Sequence, residues 1–479
     1  MSTVRRSLAY SLADSYLGVL LQLASTLIIS RILTPTEIGI FAVAAVIAAL
    51  ASTFRDFGVA EYLIQEKELT PQKIRSAFGA NVLVSWLMAL LLFAVSGPAA
   101  DFYRQPGVAD VMRIQSITFL LIPFGAVTMA YFRRELNYRP IFLANLVANI
   151  ASFAVAIGGV LAGFGYLSLA WASLAGIVVT VVVSLMLRPK DFPRWPSFKG
   201  LGEVAKFGKH AMGIYFFNQI GKSAPEAVIG RALDMASVAF YSRGYGLIEI
   251  FNRTVLRAVE PVCLPYFSKS SREGHQTSIG YLKATCLLTG IGWPFLVFIG
   301  LIAFSAVRFL YGPQWMQSVP LAQILCILMI LHLPYFLATE VMIAVGRVDQ
   351  SNLLQLYLQG LRVLGVLLVF PFGLTGACWG LVGATLLGAI VSQRFLHRTI
   401  GLEFAQLFRA CVPSVLVTVM TAVPGLAITM LIEQNETNFF PMLVGSSCAT
   451  AIAWLLSLKA VKHPFWQELN TLLAKLRPA

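Results

Sequence analysis

Charge is scarce in this 479-residue sequence. Only 12% of the residues are Asp, Glu, Lys or Arg, against about a quarter in a soluble domain. The hydrophobic share is 58% and the mean hydropathy +0.76, so an ordinary water-soluble body is excluded. No Walker A sequence occurs, which excludes an ATP motor carried on this chain. The six cysteines, Cys263, Cys286, Cys326, Cys378, Cys411 and Cys448, contain no pair at metal-ligand spacing. They read as small buried side chains, and no metal site or cofactor is expected. The histidines His210, His275, His332, His397 and His463 stand apart from one another and are expected at interfaces rather than on a ligand. No connecting segment is long enough to fold as a catalytic domain. No carboxylate pair stands on an outer loop, as a membrane glycosyltransferase or polymerase would need. The chain is therefore not expected to be an enzyme.

What is present is a succession of apolar stretches of spanning length, about 20 residues each. They are placed near 10–32, 38–64, 76–97, 111–131, 141–163 and 166–187, then 209–230, 236–266, 280–309, 320–345, 348–371, 374–394, 409–432 and 439–459. The expected fold is an all-α polytopic membrane protein of about fourteen transmembrane helices. The first stretch follows a short basic head and reads as a retained first helix. The gaps alternate between rich and poor in basic residues. Of 36 Lys and Arg, 25 fall at 5–6, 67–75, 133–139, 188–209, 269–283, 347, 394–409 and 459–477. The opposite gaps hold only Arg31, Arg104, Arg113, Arg231 and Arg308. The positive-inside rule makes the first set cytoplasmic and places both termini there. The formal net charge of +14 is spread over short loops. It serves orientation and contact with anionic membrane lipids rather than nucleic acid.

The segment 188–208 is the longest connection on the basic side and holds Pro189, Pro193 and Pro196. It divides the chain into an N-terminal six-helix lobe, 1–187, and a C-terminal six-helix lobe, 209–394. Residues 395–479 form a two-helix appendage and tail. The lobes carry matching blocks. Arg31, Leu33, Ile38 and Phe41 align with Arg231, Leu233, Val238 and Tyr241, while Arg139, Gly165 and Trp171 align with Arg347, Gly373 and Trp379. An even number of helices per repeat gives both lobes one orientation. Their pseudo-twofold axis then runs along the membrane normal, with a substrate path at their interface.

Six basic residues fall inside spans: Arg55, Lys222, Arg243, Arg253, Arg257 and Arg362. A cation at a helix centre costs about 2.5–3.5 kcal/mol on insertion scales. Such residues must face water, a partner or a head group. Snorkelling accounts for Asp14, Arg257, Glu260 and Glu340 near helix ends. It does not account for Lys222, Arg243, Arg253 and Arg362. Two readings stand for these. In one they line a hydrated cationic cavity. In the other they pair internally, Lys222 with Glu226 and Glu249 with Arg253.

Arg31-Ile32-Leu33-Thr34-Pro35-Thr36-Glu37-Ile38-Gly39, Asp56-Phe57-Gly58, Leu63-Ile64-Gln65, Leu264-Pro265-Tyr266-Phe267-Ser268, Leu310-Tyr311-Gly312-Pro313-Gln314-Trp315 and Gly346-Arg347 resemble one family. It is the polysaccharide transporters, repeat-unit flippases of the multidrug/oligosaccharidyl-lipid/polysaccharide (MOP) exporter superfamily. The resemblance implies a two-lobed bundle in the bacterial inner membrane. That bundle would move undecaprenyl-pyrophosphate-linked oligosaccharides outward for O-antigen, exopolysaccharide or capsule, beside a polysaccharide polymerase and export machinery. For that cargo Lys222, Arg243, Arg253 and Arg362 would hold the pyrophosphate, Arg through its planar fork and Lys as a point charge. Glu226 and Glu249 would couple transport to an ion, and Tyr215, Asn218, Gln219, Tyr241 and Tyr245 would contact sugars. The alternative within the superfamily is an exporter of organic cations, which would favour an acidic cavity.

Overall fold

The computed structural model describes residues 2–55, 59–273, 276–431 and 439–476. The side chains of 2–5, 8, 61, 203–217, 258, 370, 431 and 472–476 lie outside the description. Every long element among the described residues is a helix. The chain runs through α1 (Ser2–Ile32), α2 (Pro35–Arg55), α3 (Val59–Gln65), α4 (Pro71–Tyr103), α5 (Pro106–Arg134), α6 (Tyr138–Leu161), α7 (Leu167–Met186) and α8 (Leu201–Ala232). It continues with α9 (Met235–Phe251), α10 (Arg257–Arg272), α11 (Thr277–Leu301), α12 (Ala303–Leu310), α13 (Ser318–His332) and α14 (Ala338–Ala344). The last five are α15 (Val348–Val369), α16 (Gly373–Ile400), α17 (Phe404–Leu431), α18 (Phe439–Ala460) and α19 (Pro464–Leu476). A π turn, Asn252–Leu256, joins α9 to α10.

Twelve of these runs are long and apolar enough to cross a bilayer, and the protein is an all-α multi-pass membrane protein. The two remaining stretches of the fourteen expected are α8 and the continuous α9–α10 run. These are the helices that hold Lys222, Glu226, Arg243, Glu249, Arg253 and Arg257. Several expected boundaries shift. The stretch 38–64 ends as a long helix at Arg55 and resumes as α3, with 56–58 outside the described residues. The stretch 280–309 breaks at Ile302, and 320–345 breaks at a 3₁₀ turn, Leu333–Tyr335, which contains Pro334. Proline has no N–H to continue the ladder. The tail after 460 forms a further helix, α19.

The chain divides into two compact units, Met1–Ala239 and Phe240–Ala479. Helix α8 packs on α2 and α4 and so belongs to the first unit, whereas the sequence division falls at 188–208. In the first unit α4 lies along α5, α6 along α7, and α1 along α6. One core cluster joins Tyr62 and Leu63 of α3, Ile74 and Phe78 of α4, Val127 of α5, and Phe192 beyond α7. In the second unit α11 packs on α17, α15 on α16, and α17 on α18.

The blocks that match in sequence also match in local structure. Helix α2 opens with a capping box: the Thr34 N–H donates to Glu37 Oε2 at 2.9 Å, and the Glu37 N–H returns to Thr34 Oγ1 at 3.4 Å. At the equivalent start of α9, Asp234 Oδ1 accepts from the Ser237 N–H at 2.7 Å. Either cap satisfies helix-end donors that would otherwise be orphaned. Gly165 and Gly373, also matched, both take positive φ, 53° and 79°, a region costly for any side chain with a Cβ.

In the second unit α15 and α16 meet backbone to backbone. A Cβ added at Gly365 would lie 2.5 Å from the Gly380 carbonyl oxygen, and one at Gly380 would strike the Gly365 carbonyl. Small residues permit this approach in a bilayer, where packing rather than hydrophobic burial holds helices together. Gly380→Val should therefore lower the melting temperature of the detergent-purified protein, with an overpacking cost of about 1–3 kcal/mol. Gly383→Val, at a position with open space, should leave it unchanged.

A polar cluster ties α19 to the second unit. The His463 imidazole is fully buried. Its Nδ1 accepts from the Phe465 N–H at 3.1 Å, so Nε2 carries the proton and donates to Ser414 Oγ of α17 at 3.1 Å. Ser414 in turn donates to the Cys286 carbonyl of α11 at 3.2 Å. Lys283 of α11 pairs with Glu468 of α19 at 2.9 Å. Burial holds the His463 pKa below its ordinary value. The unfolded chain therefore takes up this proton first, and the stabilisation, present above about pH 6.5, is lost as the pH falls. Melting temperature should drop between about pH 7.5 and pH 5.5, and His463→Gln should flatten that dependence.

Candidate functional site

The ionic residues divide between the two units. In the first, α8 carries Lys222 and Glu226. Lys222 is exposed and Glu226 half-buried. Their i, i+4 spacing would permit an ion pair, yet none forms between them, and among the described residues neither has an ion-pair partner. Gln219, one turn before Ser223, donates to its Oγ at 3.0 Å. Asn218 is half-buried, and the Tyr215 side chain lies outside those described.

In the second unit Arg243 enters an aromatic clamp. Its guanidinium carbon lies 5.3 Å from the Tyr311 ring centroid and 5.2 Å from that of Trp315. Both rings are buried and meet edge-on at 6.4 Å. The Nε of Arg243 is buried without a hydrogen-bond partner. The segment 310–315 shapes this clamp through its backbone. Gly312 takes φ 102°, its N–H caps α12 by donating to the Val307 carbonyl at 3.2 Å, and Pro313 opens a 3₁₀ turn ending at Trp315. This segment carries part of the family likeness in the sequence, and its contact with Arg243 is a feature of the fold. Tyr241 is buried and stacks on Tyr245, whose ring is part-exposed, at 6.2 Å.

Farther along α9, Glu249 gathers three partners. Arg253 Nε lies 3.2 Å and Arg257 Nη2 3.7 Å from its Oε1, and Asn252 Nδ2 donates to Oε2 at 3.0 Å. The Glu249–Arg253 pair is the internal pairing weighed from the sequence. The π turn that begins at Asn252 inserts an extra residue into this helix, a feature frequent at functional sites. One carboxylate thus faces two guanidiniums. Arg362 of α15 ends a polar chain: Nη1 donates to Gln359 Oε1 at 3.5 Å, Gln359 to Gln355 at 3.1 Å, and Gln355 to Thr339 at 2.8 Å. Glu340, expected at a helix end reaching water, instead has a buried Oε2 with no hydrogen-bond partner. Among the described residues no group of His, Cys, Asp and Glu could hold a metal ion.

Residues 28–320 match the polysaccharide biosynthesis protein family. The chain is 22% identical over 457 residues to the teichuronic acid biosynthesis protein TuaB of Bacillus subtilis (strain 168), covering 92% of each chain. It is 26% identical over 329 residues to the succinoglycan biosynthesis transport protein ExoT of Rhizobium meliloti (strain 1021), covering 68% of this chain and 66% of that one. Among solved structures, the lipid II flippase MurJ in an inward closed conformation superposes with a TM-score of 0.75 at 10% identity, over 95% of this chain and 99% of that one. That likeness speaks for the fold. The chain belongs to the polysaccharide biosynthesis protein family.

Proposed function

We propose that this protein carries undecaprenyl-pyrophosphate-linked oligosaccharides across the bacterial inner membrane, from the side of the basic loops to the opposite face, by alternating access. The observation that carries this reading is chemical. The two helical runs outside the twelve apolar spans, α8 and α9–α10, concentrate cations that outnumber their described carboxylate partners. A sugar pyrophosphate is a strong anion that cannot enter hydrocarbon unaided, and fixed cations beside it supply the missing solvation. An organic-cation exporter would need the opposite balance of charge.

Lys222, Arg253 and Arg362 are the residues assigned to the pyrophosphate. Arg243 joins them as the group that fixes the 310–315 corner, with its free Nε as a further donor. Glu226, with no described ion-pair partner, is a better candidate for ion coupling than Glu249, which three side chains already engage. Tyr245, Asn218 and Gln219 are the candidate sugar contacts. Tyr241 is turned into packing, and Tyr215 stays in the proposal on sequence grounds. A polymerase and export machinery would act on the delivered cargo.

Deletion of the gene in its host should make lipid-linked oligosaccharide accumulate on the basic side of the membrane while polymer disappears. Unchanged polymer, with increased retention of cationic dyes in the deletion strain, would instead favour organic-cation export.

A further inference from the structure

The segment between α7 and α8 is held down at one face and unpartnered at the other. Arg188 donates from Nε to Thr128 Oγ1 and from Nη2 to the Phe124 carbonyl, both at 2.9 Å, and its guanidinium lies over Phe192 at 5.1 Å. Phe192 is buried and meets Tyr131 of α5 edge-on at 5.2 Å. Farther on, the Ser197 N–H donates to the Arg75 carbonyl at 2.9 Å, and Ser76 Oγ donates to the Lys199 carbonyl at 2.6 Å. The backbone runs so close to α4 that a Cβ at Gly79 would strike Ser197. Residues 188–199 thus form a strap fixed across the first turns of α4 and the end of α5. Both places border membrane spans on the side of the basic loops.

The outer face of the strap has a different composition. Trp195 is 75% exposed and Phe198 58% exposed. Around them stand Lys190, Arg194 and Lys199, all exposed, against the single acid Asp191. None of these three cations has an ion-pair partner among the described residues. Bulky rings left bare beside unneutralised cations match the layer where acyl chains meet phosphates. Aromatic rings settle there, and Lys and Arg gain from an anionic surface.

We propose that this strap is an anchor for anionic phospholipid head groups in the leaflet on the basic side. Trp195 and Phe198 wedge into the interface, and Lys190, Arg194 and Lys199 take the phosphates. Because Ser197 and Lys199 are pinned through backbone atoms, the anchor transmits its hold to the ends of α4 and α5 without depending on those side chains for its shape.

The test uses the full chain, with Cys448 changed to Ser and Trp195 to Cys, in nanodiscs of phosphatidylcholine alone or with about a third phosphatidylglycerol. The rate of labelling at position 195 by a membrane-impermeant thiol reagent reports its exposure. Anionic discs should slow labelling about tenfold or more. Adding Lys190→Gln, Arg194→Gln and Lys199→Gln should abolish that difference while the melting temperature in detergent stays unchanged. Equal labelling in both discs would overturn the proposal. So would protection that arises only on adding a cell extract, since that would assign the face to a protein. Should the Trp195→Cys chain fail to fold, quenching of Phe198→Cys, labelled with a fluorophore, by brominated anionic lipid gives the same reading. Absence of quenching above that by neutral brominated lipid is then the overturning result.

Discussion

Arg243→Ala should remove polymer export and lower the amount of folded protein together. The guanidinium fills the space between Tyr311 and Trp315, and each such contact contributes about 0.5–2 kcal/mol, more when desolvated. Deletion also leaves a cavity against two buried rings. Arg243→Lys should recover little of this, because an ammonium neither stacks on the rings nor spans both of them. Trp315→Ala should resemble Arg243→Ala in thermal stability. Arg243→Met separates packing from charge. If the residue acts only by holding the corner, Met keeps both stability and most export. If its free Nε serves the cargo, Met keeps stability and loses export. Melting curves and polymer yield from the same membranes distinguish these outcomes.

Lys222 and Arg253 should behave oppositely in the same pair of measurements. Lys222 is exposed and has no described ion-pair partner, so Lys222→Ala should leave stability within about 0.5 kcal/mol of wild type while export falls below detection. Arg253 is tied to Glu249 at 3.2 Å. Removing it strands part of that charge, although Arg257 at 3.7 Å offsets some of the loss. The pair is part-exposed, so its coupling energy should be about 1 kcal/mol. Glu249→Ala in the Arg253→Ala background should then restore stability without restoring export. If the double variant exports normally, Arg253 belongs to the scaffold and leaves the set assigned to the pyrophosphate.

Most of the fold could be read from the sequence, because a bilayer demands spans of one length and one polarity. The apolar runs and the alternating basic gaps both follow from that demand. Where a helix ends was harder to read. Helix α4 reaches from Pro71 to Tyr103, well past the expected 76–97, because polar flanking residues continue its ladder and Pro98 is tolerated within it. Helix α19, of 13 residues, went unread because it has no long apolar run.

At the site, local spacing served in one case and misled in another. Glu249 and Arg253 pair at i, i+4 as their positions suggest, whereas Lys222 and Glu226, at the same spacing, do not. The clamp around Arg243 was out of reach. Its partners lie in a corner far along the chain, and only the fold of the second unit brings them together. The strap at 188–199 read as a linker, since its prolines and cations give no sign that Phe192 is sunk into the core.

Transport itself is tested by reconstituting the purified protein in proteoliposomes with a fluorescent undecaprenyl-pyrophosphate oligosaccharide and following arrival of the sugar in the opposite leaflet. Wild type should transfer the head group faster than protein-free liposomes, and Lys222→Ala should not. A proton or sodium gradient that accelerates wild type but not Glu226→Gln would assign the coupling role to that carboxylate. Transfer no faster than in protein-free liposomes, under every gradient imposed, would contradict the assignment of this chain as a carrier of lipid-linked oligosaccharides.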